Sequence, residues 1–301
     1  MTLRKIEQVI QALAVSEGAG VVVHRTLGTP GLRHLDPFLM LDHFASENPD
    51  DYIAGFPDHP HRGFITLTYM LDGHMLHQDS MGNRGDLRAG GIQWMKAASG
   101  VIHSEMPQQT NGLMRGFQLW INLPAAEKMS RPGYQEFPAA HIPEVDAGGV
   151  HVKVISGEYA SQRGPVDDPL TQVLYLDVAL APNAEFSHAL HGALSAFLYP
   201  FEGEIRIGER RVATHNLVVL GTGDQVALTA GERGARLILV AGRPLNEPIV
   251  QYGPFVMSTE KEIREAIDDY RNDRLVRAAA RVGPARRPGL LQRPACGAIR
   301  P

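Results

Sequence analysis

The stretch "HRGFITLTYMLDG", residues 61–73, decides how the fold is read. Apolar residues alternate with small or polar ones through it, and an acid–glycine pair closes it. That pattern describes a strand with one buried face, running into a turn. A second stretch of the same length, "HGALSAFLYPFEG" (191–203), also begins at a histidine and ends on acid–glycine. Each carries a tyrosine, Tyr69 or Tyr199, four residues before its closing glycine. A strand-and-turn unit that recurs in the second half of a chain predicts two similar β-barrel domains in tandem.

The surrounding sequence supports this. Runs such as "GVVVHR", "VHVKVISG", "LTQVLYLDVAL", "LVVLG" and "ARLILVAG" are separated by Gly, Asp and Asn. Short strands with close turn signals indicate an all-β protein, not alternating βαβ units. The expected domains are residues 1–140 and 150–282, joined through "HIPEVDAGG" (141–149). One helix is expected in "STEKEIREAIDDYRNDRL" (258–275). Thr259 and Glu262 stand there at capping-box spacing, and Ile263, Ala266, Ile267 and Tyr270 form one apolar stripe. A shorter helix is expected over residues 3–15. The stretch 283–301, rich in Pro, Gly and Arg and without an acid, is expected to be a disordered tail.

Bulk properties exclude several function classes. The chain has 301 residues, 44% hydrophobic and 21% charged, with a formal net charge of −4. No apolar run is long enough to span a bilayer, and the N-terminal stretch lacks a secretory core. A cytoplasmic protein is expected. The arginines are spread along the chain, so no basic stripe marks a nucleic-acid surface. The single cysteine, Cys296, can form neither an internal disulfide nor a cysteine-rich zinc site. Neither G-x-S-x-G, a P-loop nor G-x-G-x-x-G occurs.

The chemistry lies just before the opening stretch. In "FPDHPHRGF" (56–64), His59 and His61 alternate and would share one strand face, about 7 Å apart along the chain. Pro60 between them fits a strand start or a barrel rim better than a central strand. In "VIHSEMP" (101–107), His103 and Glu105 alternate in the same way. Two such strands facing each other would converge three imidazoles and one carboxylate. That donor set suits Fe(II), Mn, Co, Ni, Cu or Zn, and it leaves coordination positions open. In the second half, His191 takes the place of His61, but Ala189 stands where His59 would be. The following strand region has neither His nor Glu, so only the first domain is expected to bind metal. His74 and His77 are read as solvent-facing residues of a hairpin, and His188 and His191, three apart and so not alternating on one strand face, as ordinary residues. Phe56, Phe64 and Trp94 are candidates to line an apolar pocket, with barrel core as the competing role.

Several blocks together resemble the pirins of the cupin superfamily: "FPDHPHRGF", "DSMGN", "IQWMKAASGVIHSEMP", "QLWINLPAAEKM" and "AGRPLNEPIVQYGPFVMST". The likeness runs over roughly residues 10 to 280. It implies an all-β fold of two tandem cupin (jelly-roll-like) β-barrels with a C-terminal helix, and a metal in the first barrel only. It makes His59, His61, His103 and Glu105 the metal ligands, with Fe(2+) the usual ion and Ni, Mn, Co, Cu or Zn as substitutes. Some pirins act as quercetin 2,3-dioxygenases, opening the flavonol ring with O2 and releasing CO. Others are transcriptional cofactors or regulators that bind metabolic enzymes. The implied partners are a phenolic or enol small molecule and O2, or a protein in the regulatory case. Neither nucleic acid nor a membrane is expected, and the chain is read as a monomer. Glu105 is assigned as the catalytic base that takes the flavonol hydroxyl proton. Two departures from the family pattern stand out. Ile65 replaces the usual Glu, and Ala98-Ser99-Gly100 replaces a Gly-Arg-Gly. Both are expected to alter the pocket wall.

Overall fold

The alternation in residues 64–73 becomes the strand Phe64–Asp72, whose two faces meet different surroundings. In the computed structural model, which describes residues 1–277, Ile65, Leu67 and Tyr69 enter the largest apolar cluster. Phe64, Thr66, Thr68 and Met70 turn the other way, as a two-residue period requires.

This strand lies inside a seven-stranded sheet of order Gly133–Phe137, Ile92–Lys96, Phe64–Asp72, Met114–Asn122, Phe38–Ser46, Val21–Leu27, Leu13–Glu17. A nine-stranded sheet repeats the arrangement. Its main path is Ile6–Gln11, Asn216–Leu220, Ser195–Ile207, Gln225–Gly242, Leu174–Leu180, Val150–Ser156, Glu144–Ala147. The strands that carry the two repeated stretches, Phe64–Asp72 and Ser195–Ile207, are both third in order. Their tyrosines, Tyr69 and Tyr199, point into the same apolar layer. That layer, with Phe38, Leu119, Tyr175, Phe197 and Val240, fills the space between the two sheets. The protein is thus a pair of stacked cupin barrels with one helix near the end of the described residues. The tail expected over 283–301 and Cys296 lie outside those residues.

The opening of the chain departs from the sequence reading. Residues 3–15 hold no helix; Ile6–Gln11 and Leu13–Glu17 are strands. Ile6, Val9 and Ile10 have helical spacing, but Ile6–Gln11 finds an edge to pair with at Asn216–Leu220 in the second barrel's sheet. Tertiary pairing outweighs local preference there. The segment 141–149 is not a bare connection either. It contains the strand Glu144–Ala147, which turns at Gly148 and Gly149 to pair with Val150–Ser156.

The two barrel interiors differ in chemistry. The second is filled by Val152, Leu176, Leu198, Val218, Leu228 and Leu239, among others. The first is closed by a four-stranded sheet, Phe56–His61, Val101–Pro107, His74–Asp79, Arg84–Arg88. It keeps His61, Thr66, Thr68, His77, Gln93, His103 and Glu105 buried. Buried polar groups need partners, and such groups are gathered inside the first barrel.

A C-terminal strap crosses back to the first barrel. The hairpin Val250–Tyr252/Phe255–Met257 leads into the helix Glu260–Arg271. The Thr259 hydroxyl caps that helix by accepting from the Glu262 amide, and the Glu262 carboxylate accepts from the Ser258 amide. Ile263, Ala266, Ile267 and Tyr270 pack with Phe255, Leu275 and Ile102. Arg62, 2% exposed, ties the strap to the histidine strand. It donates to the carbonyls of Ser99 (2.7 Å) and Leu275 (3.3 Å) and to the Asp269 carboxylate (2.9 Å). Among the described residues no helix is long and apolar enough to cross a membrane.

Candidate metal centre

His59 and His61 sit on the strand Phe56–His61, and His103 and Glu105 on its antiparallel neighbour Val101–Pro107. Pairing sets His103 opposite His59 and Val101 opposite His61. Strand alternation then turns the three imidazoles to one side. Pro60 sits near the end of a strand paired only on this side, which accommodates its missing N–H. Ring centroids are 4.7 Å apart for His59–His61, 4.3 Å for His59–His103 and 4.9 Å for His61–His103. One donor atom from each lies within 4.8 Å of the others. Two nitrogens bound to one ion at about 2.1 Å are at most about 4.2 Å apart. Small side-chain adjustments therefore suffice to share an ion.

Burial and hydrogen bonding fit such a group. His61 Nδ1 and His103 Nε2 are buried and have no hydrogen-bond partner. An unpartnered imidazole nitrogen inside a barrel is costly unless something else engages its lone pair. Burial, then the neighbouring His59, hold the pKa of His61 well below its usual value; a hydrogen bond to the Pro254 backbone opposes this only in part. Burial and the three histidines around it do the same for His103. Both rings are therefore neutral near pH 7, the form that binds a metal. The half-buried His59 donates its Nδ1 proton to the Pro57 carbonyl at 2.8 Å, which leaves Nε2 as the nitrogen open to a metal.

Glu105 is not gathered with His59 and His61. The pairing with the first histidine strand shifts between His103 and Glu105, so that Glu105 lies opposite Phe56. Glu105 groups instead with His103 and His77, whose donor atoms also lie within 4.8 Å of one another. Its Oε2 accepts from Gln118 Nε2 at 3.1 Å, and its Oε1 is 3.2 Å from the Thr68 hydroxyl. His103 belongs to both groups and joins them.

His77 corrects the sequence reading. It is 1% exposed and not solvent-facing, because the strand His74–Asp79 pairs with Val101–Pro107 and places His77 opposite Glu105. Its signal was present in "HQD" (77–79), a third pair alternating on one face. His77 Nε2 lies 3.3 Å from Asp79 Oδ2. Burial pushes the Asp79 carboxyl up, but hydrogen bonds from His77 and Asn83 bring it below the usual range.

The apolar residues sort differently from the expectation. Phe64 does meet His61, with ring centroids 5.0 Å apart, whereas Trp94 belongs to the layer between the barrels and Phe56 packs at the edge of another cluster. The aromatic residue beside the histidines is Trp120, 5.2 Å from His61 and 4.3 Å from Phe64. Neither departure from the family pattern touches this wall. Ile65 faces the inter-barrel layer, the Ser99 carbonyl accepts from Arg62 Nε, and Gly100 lies against Leu275 of the C-terminal strap.

A double cupin barrel with a histidine cluster in its first half defines the class of protein. The pirin family model matches residues 20–121, and that of the pirin C-terminal cupin domain matches 175–276. The chain belongs to the pirin family. A Pseudomonas aeruginosa protein, provisionally named a quercetin 2,3-dioxygenase, is 49% identical over 265 residues, covering 85% of this chain and 93% of its own. A pirin-like protein of Caulobacter vibrioides is 48% identical over 276 residues, covering 91% of this chain and 100% of its own. The crystal structure of a quercetin 2,3-dioxygenase from Acinetobacter baumannii superposes with a TM-score of 0.84 at 31% identity, covering 91% of this chain and 98% of that one.

Proposed function

We propose that the protein is a metal-dependent dioxygenase that opens a flavonol such as quercetin with O2. The ion, most readily Fe(II), would be held by His59, His61 and His103, with Glu105 as the fourth ligand. The observation that carries this is the pair of buried, unpartnered ring nitrogens on His61 and His103, grouped with a third imidazole, His59. The choice of substrate is supported by the relatives named for quercetin dioxygenation.

A bound ferrous ion would supply a Lewis acid for an enol oxygen and a redox partner for O2. The rest falls to the chain itself. Glu105 is the one carboxylate in the two groups, and it takes the proton of the flavonol 3-hydroxyl. Gln118 and Thr68 hold that carboxylate in place from behind. Phe64 and the partly exposed Trp120 form an aromatic wall beside His61, which a flat ring system can contact.

The test is oxygen uptake by anaerobically purified, Fe(II)-loaded protein mixed with quercetin. Uptake that matches flavonol loss, and that disappears in His59→Ala, is the expected result. Stoichiometric iron without uptake would overturn the reading, in favour of a non-catalytic iron-binding protein or a different substrate.

A further inference from the structure

His77 and Asp79 lie deep in the first barrel with side chains 1% exposed, and no role in the reaction accounts for them. Asp79 is held firmly. Its Oδ1 accepts from the amides of Met81 (2.9 Å) and Asn83 (3.0 Å), and its Oδ2 accepts from Asn83 Nδ2 at 2.8 Å. The same Oδ2 lies 3.3 Å from His77 Nε2, and His77 Nδ1 lies 3.3 Å from His103 Nδ1. The Tyr134 ring covers His77 at 5.1 Å and fixes its plane.

We propose that Asp79 and His77 form a positioning relay that decides which nitrogen of His103 faces the metal. The inference rests on His103 being a ligand, as proposed above. A carboxylate only accepts, so the His77 proton sits on Nε2. A neutral imidazole carries one N–H and one bare nitrogen, so with the proton on Nε2 its Nδ1 is the acceptor. Two bare nitrogens would not approach to 3.3 Å in a buried site, so His103 carries its proton on Nδ1. Its Nε2 is then bare, and Nε2 is the His103 atom that has no partner. The order is carboxylate, imidazole, imidazole, metal. It lengthens by one ring the usual arrangement in which a carboxylate or carbonyl orients a ligating histidine.

Asp79→Asn tests this with almost no change of shape. The asparagine oxygen stays with the two backbone amides, its NH2 group faces His77 Nε2, and the Asn83 side-chain amide flips to present its oxygen to that NH2. The His77 proton must then move to Nδ1, and the His103 proton to Nε2, which removes the ligand's lone pair. Co(II) affinity, measured against a competing chelator at fixed pH, is expected to weaken about 10–100-fold. Imidazole 15N signals of the apo protein should show the His103 proton on Nδ1 in the wild type and on Nε2 in Asp79→Asn. His77→Asn puts an amide oxygen where Nδ1 stood, so it should keep near-normal affinity and abolish the effect of Asp79→Asn in the double variant.

Unchanged Co(II) affinity in Asp79→Asn would overturn the relay while leaving the metal centre standing. Loss of metal in His77→Asn as severe as in His103→Ala, with Asp79→Asn near normal, would instead make His77 a ligand alongside His103 and Glu105. A wild type that binds no Co(II) would remove both the metal centre and the relay.

Discussion

Glu105→Gln is the smallest change that separates holding a metal from moving a proton. The amide keeps the shape between Gln118 and Thr68, but it cannot accept the substrate proton. Losing a positioned base costs about 10²–10⁴-fold. Glu105→Gln should therefore retain most of its bound metal and lose at least about 100-fold in quercetin turnover, read by oxygen uptake and metal analysis on one sample. Full turnover with full metal would remove Glu105 from its role. At this scale the site was largely legible. His59, His61, His103 and Glu105 stand in alternating pairs, and alternation is what a strand preserves. What could not be read was the pairing shift between His103 and Glu105, which separates Glu105 from the first two histidines. Nor could the sequence show which aromatic shares the histidines' side: Trp120 does and Trp94 does not.

Elements are joined by the strap, and Gly63 is its tightest point. Its φ is +91°, and a Cβ placed there would lie 1.9 Å from the Val256 carbonyl oxygen. The same place is clamped by Lys128, whose Nζ donates to the carbonyls of Gly63 (2.8 Å) and Val256 (3.1 Å). Gly63→Ala should cost at least about 2 kcal/mol, from backbone strain together with displacement of the strap. Gly112→Ala, at φ +89° with nothing within 4 Å, isolates the strain alone and should cost less. Urea midpoints of the two variants make the comparison; equal losses would mean that the strap is not under this constraint. The helix in the strap was legible from its cap and stripe, both local signals. The strand Ile6–Gln11 was not, since its partner Asn216–Leu220 lies some two hundred residues away.

At the scale of the whole molecule, one barrel is filled with aliphatic side chains and the other keeps histidines buried, and the buried histidines of the molecule govern its pH response. Burial holds His61 and His103 well below the ordinary histidine value of about 6.5, and His43, beneath the inter-barrel layer, down to about 3. His34, His188 and His215 are also lowered by burial. As pH falls through about 6.5 the unfolded chain takes up these protons and the folded one does not. Stability of the metal-free protein is thus complete above about 6.5 and declines below it, by about 1.4 kcal/mol per pH unit for each of the buried His43, His61 and His103. Asp42 and Asp168, raised by burial, work against the trend on further acidification. Urea unfolding of chelator-treated protein at pH 7.5 and 5.5 checks the sign; equal stability at both would contradict it. The tandem architecture was legible because the repeated stretches occupy the same place in two equivalent sheets. The polar filling of the first barrel was only half legible, since the alternating pair His77 and Asp79 lies in a run that also reads as a solvent-facing hairpin.

On the proposed function, the first barrel, and not the second, holds the metal through its three clustered histidines. Dialysis of the purified chain against Fe(II) under nitrogen, followed by elemental analysis, tests it most directly when His61→Ala and His188→Ala are run beside the wild type. About one iron per chain is expected in the wild type and in His188→Ala, and almost none in His61→Ala. Iron retained in His61→Ala, or absent from the wild type, would contradict it.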